Sequence, residues 1–316
     1  MNKSFFKNAS IGAVAIAILT AVFQYFGLDI KQVFPDEPQP PKPKQDSVVV
    51  TPPPKPPTPS KDTVVLKPKI FLPKLDDSPV IQHSYFTLAY SEKHEQAKWV
   101  AYKLDRKMLK SATERTDDFR PDPNVTTGSA TPSDYSRSGY DRGHLCPAAD
   151  MSFNEKAMSE TFFMSNMSPQ MPPCNRGIWK ELEEQVRDWA NENKELQVVT
   201  GPVLPLRGGK KIGKNSQITI PTKYYKVLLD NTEPNIKAIG FVIPNAGSNE
   251  PLEKYAVSID EVETLTGLDF FPDLPNQLEA KIEKNFDVNQ WKSDKQRFEA
   301  RVMWTQRARF GVGMEE

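Results

Sequence analysis

The chain has 316 residues, 38% of them hydrophobic, enough for one domain of about 200 to 250 residues plus appendages. Its 41 basic and 41 acidic residues cancel, but unevenly: residues 1–75 hold 10 basic and 5 acidic residues, leaving 31 against 36 and a net charge of −5 for the remainder. That balance excludes the whole-domain basic footprint of a tight nucleic-acid binder, so any such contact must be local.

The N-terminus comes first in the chain and reads as a separate object. Lys3 and Lys7 precede an uncharged run from Ala9 to Leu28, ASIGAVAIAILTAVFQYFGL, which as a helix spans roughly 30 Å, about one hydrocarbon core. Residues 1–30 therefore read as a membrane anchor. A cleaved signal peptide is the competing reading, but the run ends in Phe23, Tyr25 and Phe26 rather than in a small-residue cleavage site. With both lysines before the run, the N-terminus is expected inside and the rest of the chain outside the cytoplasm, periplasmic or at the cell surface, and secreted if the segment is cleaved. Residues 31–75 form a linker: Pro35 to Lys74 hold 13 of the 29 prolines, which favours extended polyproline II with a reach on the order of 100 Å.

From about residue 76 to the end, strand-like and helix-like runs alternate in one globular domain. IQHSYFTLAY, KWVAYKL, ELQVVTGPVL, SQITIPTKYYKVLLD and IKAIGFVIP are rich in β-branched and aromatic residues and bounded by Pro, Gly or Asn, as strands are. Asn175 to about Asn193 carries Ile178, Leu182, Val186 and Trp189 at helical spacing. Shorter helices are predicted at Asn154 to Ser159, Ile259 to Thr266 and Asn276 to Lys284. No internal repeat is present, and the fold class is α+β with a mostly antiparallel sheet flanked by helices. The basic runs KLDRKMLK and RGGKKIGK read as solvated surface, with a role along a polyanion as the alternative.

Three histidines occur, at 83, 94 and 144. His83 and His94 read as structural, as a lone histidine usually is. His144 ends the tetrapeptide Asp141-Arg142-Gly143-His144, which sets a carboxylate, a cation, a flexible glycine and a base side by side. Alone it is only moderately specific. Its company is specific: SNMSPQ, NRGIWKELE, TLAYSEKHEQAKWVAYKL and ERTDDFRPDP accompany it in order. On these motifs, most of residues 80–250 resembles the DNA/RNA non-specific endonucleases, the DRGH or ββα-metal (His-Me finger) nucleases that include endonuclease G.

The resemblance implies a ββα-metal core and a divalent-metal-dependent enzyme that cuts DNA and RNA internally without sequence preference, leaving 5′-phosphate ends. His144 would be the general base, Arg142 and Arg115 would clamp the scissile phosphate, and Asn166 would support the site. Arg120 lies near enough in ERTDDFR to leave the choice of Arg115 open. Asn175 would be the protein ligand of one Mg²⁺ or Mn²⁺ ion per active site, and a water on that ion would protonate the 3′-oxygen. Glu183 sits eight residues on, about 12 Å along a helix, so it would act through a metal-bound water. Asp141 reads as a structural partner of the His144 segment, and Trp179 as packing. If His144 and Asn175 flank one ion, Cys146 and Cys174 are near neighbours, and outside the cytoplasm a disulfide between them is expected as one option. The rival class is a membrane-tethered nucleic-acid-binding or uptake protein on an inactive nuclease scaffold. Oligomeric state stays open, a homodimer included.

Overall fold

The computed structural model describes residues 70–74 and 76–309; the expected anchor over residues 1–30 and the linker up to residue 69 lie outside the described residues. In chain order the strands are β1 (Val80–Gln82), β2 (Phe86–Ser91), β3 (Gln96–Asp105), β4 (Asp141–His144), β5 (Met167–Gln170), β6 (Glu195–Pro202), β7 (Lys211–Ile212), β8 (Ile218–Thr219), β9 (Lys223–Asp230), β10 (Lys237–Pro244) and β11 (Ala256–Val257). The helices are α1 (Glu155–Glu160), α2 (Lys180–Asn193), α3 (Ile259–Thr266), α4 (Asn276–Lys284) and α5 (Lys295–Arg309).

Seven strands form a central sheet in the order β1-β2-β3-β6-β9-β10-β11, antiparallel throughout. Side chains alternate across a strand, so the register stacks one row per face. Phe86, Tyr102, Val198, Leu228 and Ile239 stand opposite one another on one face, where Leu182, Val186 and Trp189 of α2 cover them. Ala101, Val199 and Val227 belong to the other face, covered by Ile259 and Val262 of α3, Ile282 of α4, and Phe270 and Phe271. On that side a Cβ at Gly240 would lie 2.9 Å from Val262, so α3 packs as closely as glycine permits. The two remaining ribbons, β4-β5 and β7-β8, stand outside the sheet.

The predicted helices are present, and two of them carry local caps. Asn154 caps α1 by accepting from Ala157 N at 3.0 Å, Ser258 caps α3, and Gly267 ends α3 at φ 71. Four features differ from expectation. The stretch 81–90 is two strands, turned by a bond from His83 N to Phe86 O at 2.9 Å. The run 216–230 breaks between β8 and β9, where Pro221 offers no N–H to a ladder. The segment Asp141-Arg142-Gly143-His144 is itself a strand. Finally, α5 carries no apolar stripe and was not anticipated.

Long-range ion pairing, rather than a stripe, anchors α5. Arg301, 6% exposed, donates to Glu181 of α2 and to the carbonyl of Ser248, and through Nη2 to Glu250 O at 2.7 Å. Replacing it strands a buried carboxylate, which costs more than the pair itself contributes. Arg301→Met is expected to lower the unfolding free energy by about 3 to 5 kcal/mol in urea titrations followed by tryptophan fluorescence. Adding Glu181→Gln should recover part of that loss; no recovery would show that α5 is held by other contacts.

Candidate active site

The ribbon β4-β5 places the motif residues. Its register sets Asp141 opposite Gln170, Arg142 opposite Pro169, Gly143 opposite Ser168 and His144 opposite Met167. Strand alternation sends Arg142 and His144 to one face and Asp141 to the other. A Cβ at position 143 would fall 2.2 Å from Gln170 Oε1, so only glycine lets the Gln170 carboxamide lie against this strand. That carboxamide is buried, and neither its Oε1 nor its Nε2 has a hydrogen-bond partner.

The face bearing His144 has an aromatic floor. Phe119 and Phe162 meet edge to face with centroids 4.9 Å apart. The imidazole of His144 lies 5.0 Å from Phe162 and 5.7 Å from Phe119. Arg142 stacks 3.9 Å above Phe119 and Arg115 4.9 Å above Phe162. One pair of rings thus seats one imidazole and two guanidiniums. Burial lowers the His144 pKa to about 3, with the positive charges of Arg115 and Arg142 adding to it. The ring is neutral at physiological pH, and its Nε2 is shielded from solvent without a partner.

Arg120 is engaged elsewhere: it donates to Asp118, to Ser159 O at 3.0 Å and to Ser159 Oγ at 2.9 Å, and lies over Phe163. Among the described residues, the hydrogen-bonding partner of Arg115 is the exposed Asp117, at 2.7 Å. Asn166 is fully buried and braces the chain that follows His144. Its Oδ1 accepts from Cys146 N at 2.9 Å, while its Nδ2 donates to Cys146 O at 2.9 Å and to Thr161 O at 2.8 Å.

Asn175 lies on a π-helical turn, Cys174–Trp179, that follows Pro172 and Pro173 and leads into α2. Gly177 inside it is non-helical, with φ −108 and ψ −110, so the helix expected from Asn175 onward begins with a kink. Asn175 Nδ2 donates to Asp141 Oδ2 at 2.9 Å, and Arg176 donates to both oxygens of the same carboxylate at 3.0 and 3.1 Å. The ribbon and the helix turn therefore meet at Asp141, three residues before His144. With Nδ2 committed, the carboxamide oxygen is what Asn175 has left to offer a cation.

Glu183 on α2 has a pKa raised by burial first and by Asp150, against which Lys226 and Arg187 pull it down. Lys226 of β9 is fully buried, its Nζ 4.8 Å from the Trp179 ring and without a hydrogen-bond partner. Burial lowers the Lys226 pKa, and Glu183 and Asp150 raise it. Asp150 in turn accepts from Tyr102 Oη at 2.8 Å and Arg187 Nη1 at 2.9 Å. Sequence reasoning missed Lys226, Gln170, Phe119 and Phe162. Gly143 was the available signal for Gln170, whereas nothing local marks the others.

The disulfide considered between Cys146 and Cys174 is corrected: both are buried free thiols, and Cys174 Sγ points to Pro244 O at 3.6 Å. Burial pushes the Cys146 thiol well up and the Cys174 thiol up to about 12. His83 pairs with Asp122 at 3.0 Å and His94 with Thr219 at 2.9 Å, both buried and structural.

Comparison with known proteins gives a consistent result. Residues 71–277 match the family described as DNA/RNA non-specific endonuclease. The chain is 36% identical over 223 residues to a nuclease of Nostoc sp., covering 67% of this chain and 80% of that one. It is 36% identical over 203 residues to mitochondrial endonuclease G of Homo sapiens, covering 60% of this chain and 68% of that one. Against mitochondrial nuclease EXOG of Danio rerio it is 37% identical over 206 residues, 60% of each chain. A crystal structure of an EndoG/EndoGI complex superposes with a TM-score of 0.60 at 32% identity, covering 65% of this chain and 90% of that one. The α+β architecture expected from the sequence, with its ββα unit, is that of this neighbour. The membrane-anchored, extracytoplasmic placement is corrected: no helix among the described residues is long and apolar enough to cross a membrane, and these endonuclease G and EXOG relatives are mitochondrial.

The depressed His144 pKa carries a stability consequence. The unfolded chain takes up the imidazole proton as pH falls through about 6.5, while the folded protein does not until about 3. The contribution of the neutral ring is therefore full above pH 6.5 and is lost on acidification. Between pH 7 and pH 5 the wild type should lose up to about 2 kcal/mol that His144→Gln does not lose, measured by urea unfolding at both values. Equal losses in the two proteins would show that the ring protonates freely in the folded state.

Proposed function

Because the chain belongs to the DNA/RNA non-specific endonuclease family and is a phosphodiester hydrolase, we propose that it cuts DNA and RNA internally without sequence preference, using His144 as general base and a divalent cation held by Asn175. The observation that carries this reading is the His144 imidazole, neutral, with an unpartnered Nε2, between two guanidiniums on one aromatic floor.

Arg142 and Arg115 attract the backbone phosphate and bind its oxygens through paired N–H donors. An anion seated there offsets the two charges that depress His144, so the imidazole gains basicity as substrate arrives. Nε2 then accepts a proton from the water that attacks phosphorus, and the bond from phosphorus to the 3′-oxygen breaks. Asn166 fixes the backbone just after His144, which keeps the ring from drifting from that water.

The residues fit a hydrated hard cation. Asn175 contributes one neutral oxygen, its amide nitrogen being tied to Asp141, and Glu183 is an acceptor for a water in the ion's shell. When bound, Mg²⁺ or Mn²⁺ supplies charge compensation at phosphorus and an acidified water for the departing oxygen. Asn175 would hold the ion, Glu183 would orient its water, and Lys226 beneath Trp179 would draw the Glu183 pKa down against the burial that raises it.

In a supercoiled-plasmid nicking assay with Mg²⁺, His144→Ala is expected to cut about 10²- to 10⁴-fold more slowly while still retaining DNA on a gel. EDTA should abolish wild-type cutting and added Mg²⁺ restore it; unimpaired nicking by His144→Ala would sink the proposal. A second comparison separates the two arginines left open by the sequence. Arg115→Ala should lower kcat/KM by about 10-fold or more with little change in Tm, since its lost interaction is with phosphate. Arg120→Ala should do the reverse, and a larger kinetic loss for Arg120→Ala would exchange their roles.

A further inference from the structure

On the sheet face opposite α2, folding gathers carboxylates that the nuclease reading leaves unused. Asp260 and Glu263 lie one turn apart on α3, and Glu283 comes from α4; one oxygen from each lies within 4.8 Å of the others. Asp269 and Glu279 add negative charge to the same neighbourhood. Lys74 pairs with Asp269 at 3.4 Å, and Glu263 Oε1 accepts from Phe270 N at 2.8 Å. Glu283 is the informative member: it is only 8% exposed, and its Oε1 is buried with no hydrogen-bond partner. A carboxylate taken out of water without a donor, and turned toward two others, is costly unless a cation meets it.

We infer that Asp260, Glu263 and Glu283 form a second divalent-cation site, structural rather than catalytic, that ties α3 to α4 and takes Ca²⁺ in preference to Mg²⁺. The donor chemistry is that of a hard cation, all oxygen and mostly anionic. The setting favours Ca²⁺, which takes 6–8 oxygen ligands in flexible geometry, over Mg²⁺, which demands a near-ideal octahedron that three carboxylates on two separate helices are not built to supply. Asp260 is exposed and Glu263 partly so, which leaves room for waters to complete the shell. Ile259 and Val262 on α3 and Ile282 on α4 flank these carboxylates and pack into the same apolar cluster, so an ion here would clamp the layer that covers the sheet.

The test uses the full-length chain with Mg²⁺ present throughout, so that Ca²⁺ competes for neither assay nor site unnoticed. Ca²⁺ binding is measured by equilibrium dialysis, and Tm is compared in Ca²⁺ and in EGTA, for the wild type and for Asn175→Ala, Glu283→Gln and Asp260→Asn. The wild type and Asn175→Ala are expected to bind one Ca²⁺ and to melt at higher temperature with it. Glu283→Gln and Asp260→Asn should each weaken Ca²⁺ binding by about 10-fold or more, and lose the Tm response, with plasmid nicking unchanged. Asp260 is exposed, so its variant decides the matter should Glu283→Gln fold poorly. No Ca²⁺-dependent Tm shift in the wild type would overturn the inference and leave Glu283 a protonated core residue. A shift that persists in Asp260→Asn and Glu283→Gln, or vanishes in Asn175→Ala, would also overturn it by placing the ion elsewhere.

Discussion

The carboxylate of Asp141 is the joint on which the site depends. It opens the strand that ends in His144, and it receives the amide of Asn175 and the guanidinium of Arg176. Two segments distant in sequence are thereby held at one point, the strand carrying the imidazole and the kinked turn that opens α2. Charge-assisted bonds of this kind are short and directional, which suits a joint that must fix orientation as well as proximity. The same bonds choose which end of the Asn175 carboxamide faces outward.

Around that joint the protein uses burial to set charge states in opposite senses. His144 is kept neutral by an apolar floor and two neighbouring guanidiniums, while beneath α2 burial raises the Glu183 pKa and lowers that of Lys226, and the opposite charges of the Glu183, Asp150, Arg187 and Lys226 group pull each back. Each member would be expensive alone, and each is tolerable because the others are present. The layer sits under the first turns of α2, so the electrostatics of the core and the alignment of the helix are coupled. Trp179, which carries Lys226 against its ring, is where packing and charge meet.

What could be read in the sequence was chemistry concentrated in short segments, and periodicity. Asp141-Arg142-Gly143-His144 and the run from Asn175 to Glu183 are dense in functional residue types, and α2 shows its apolar face at every turn. Lys226 was invisible because KYYKVLLD reads as a strand whichever way that lysine points, and its acidic partners come from other elements. The aromatic floor was equally hidden, since Phe119 and Phe162 look like ordinary core residues until Arg142 and Arg115 are seen above them. The helix α5 was missed because ion pairs from Arg301 and Arg297 to α2, not a stripe of apolar side chains, attach it. Pairing of Cys146 with Cys174 was inferred from proximity and an oxidising compartment, neither of which says where each thiol points.

Those two thiols have a consequence of their own. A sulfhydryl reacts through its thiolate, and burial places Cys146 and Cys174 far from forming one near neutral pH. Both flank the residues proposed for catalysis, yet neither is poised for oxidation, alkylation or exchange with glutathione. Both thiols therefore serve the site as small apolar packing groups within the main core cluster rather than as reactive ones.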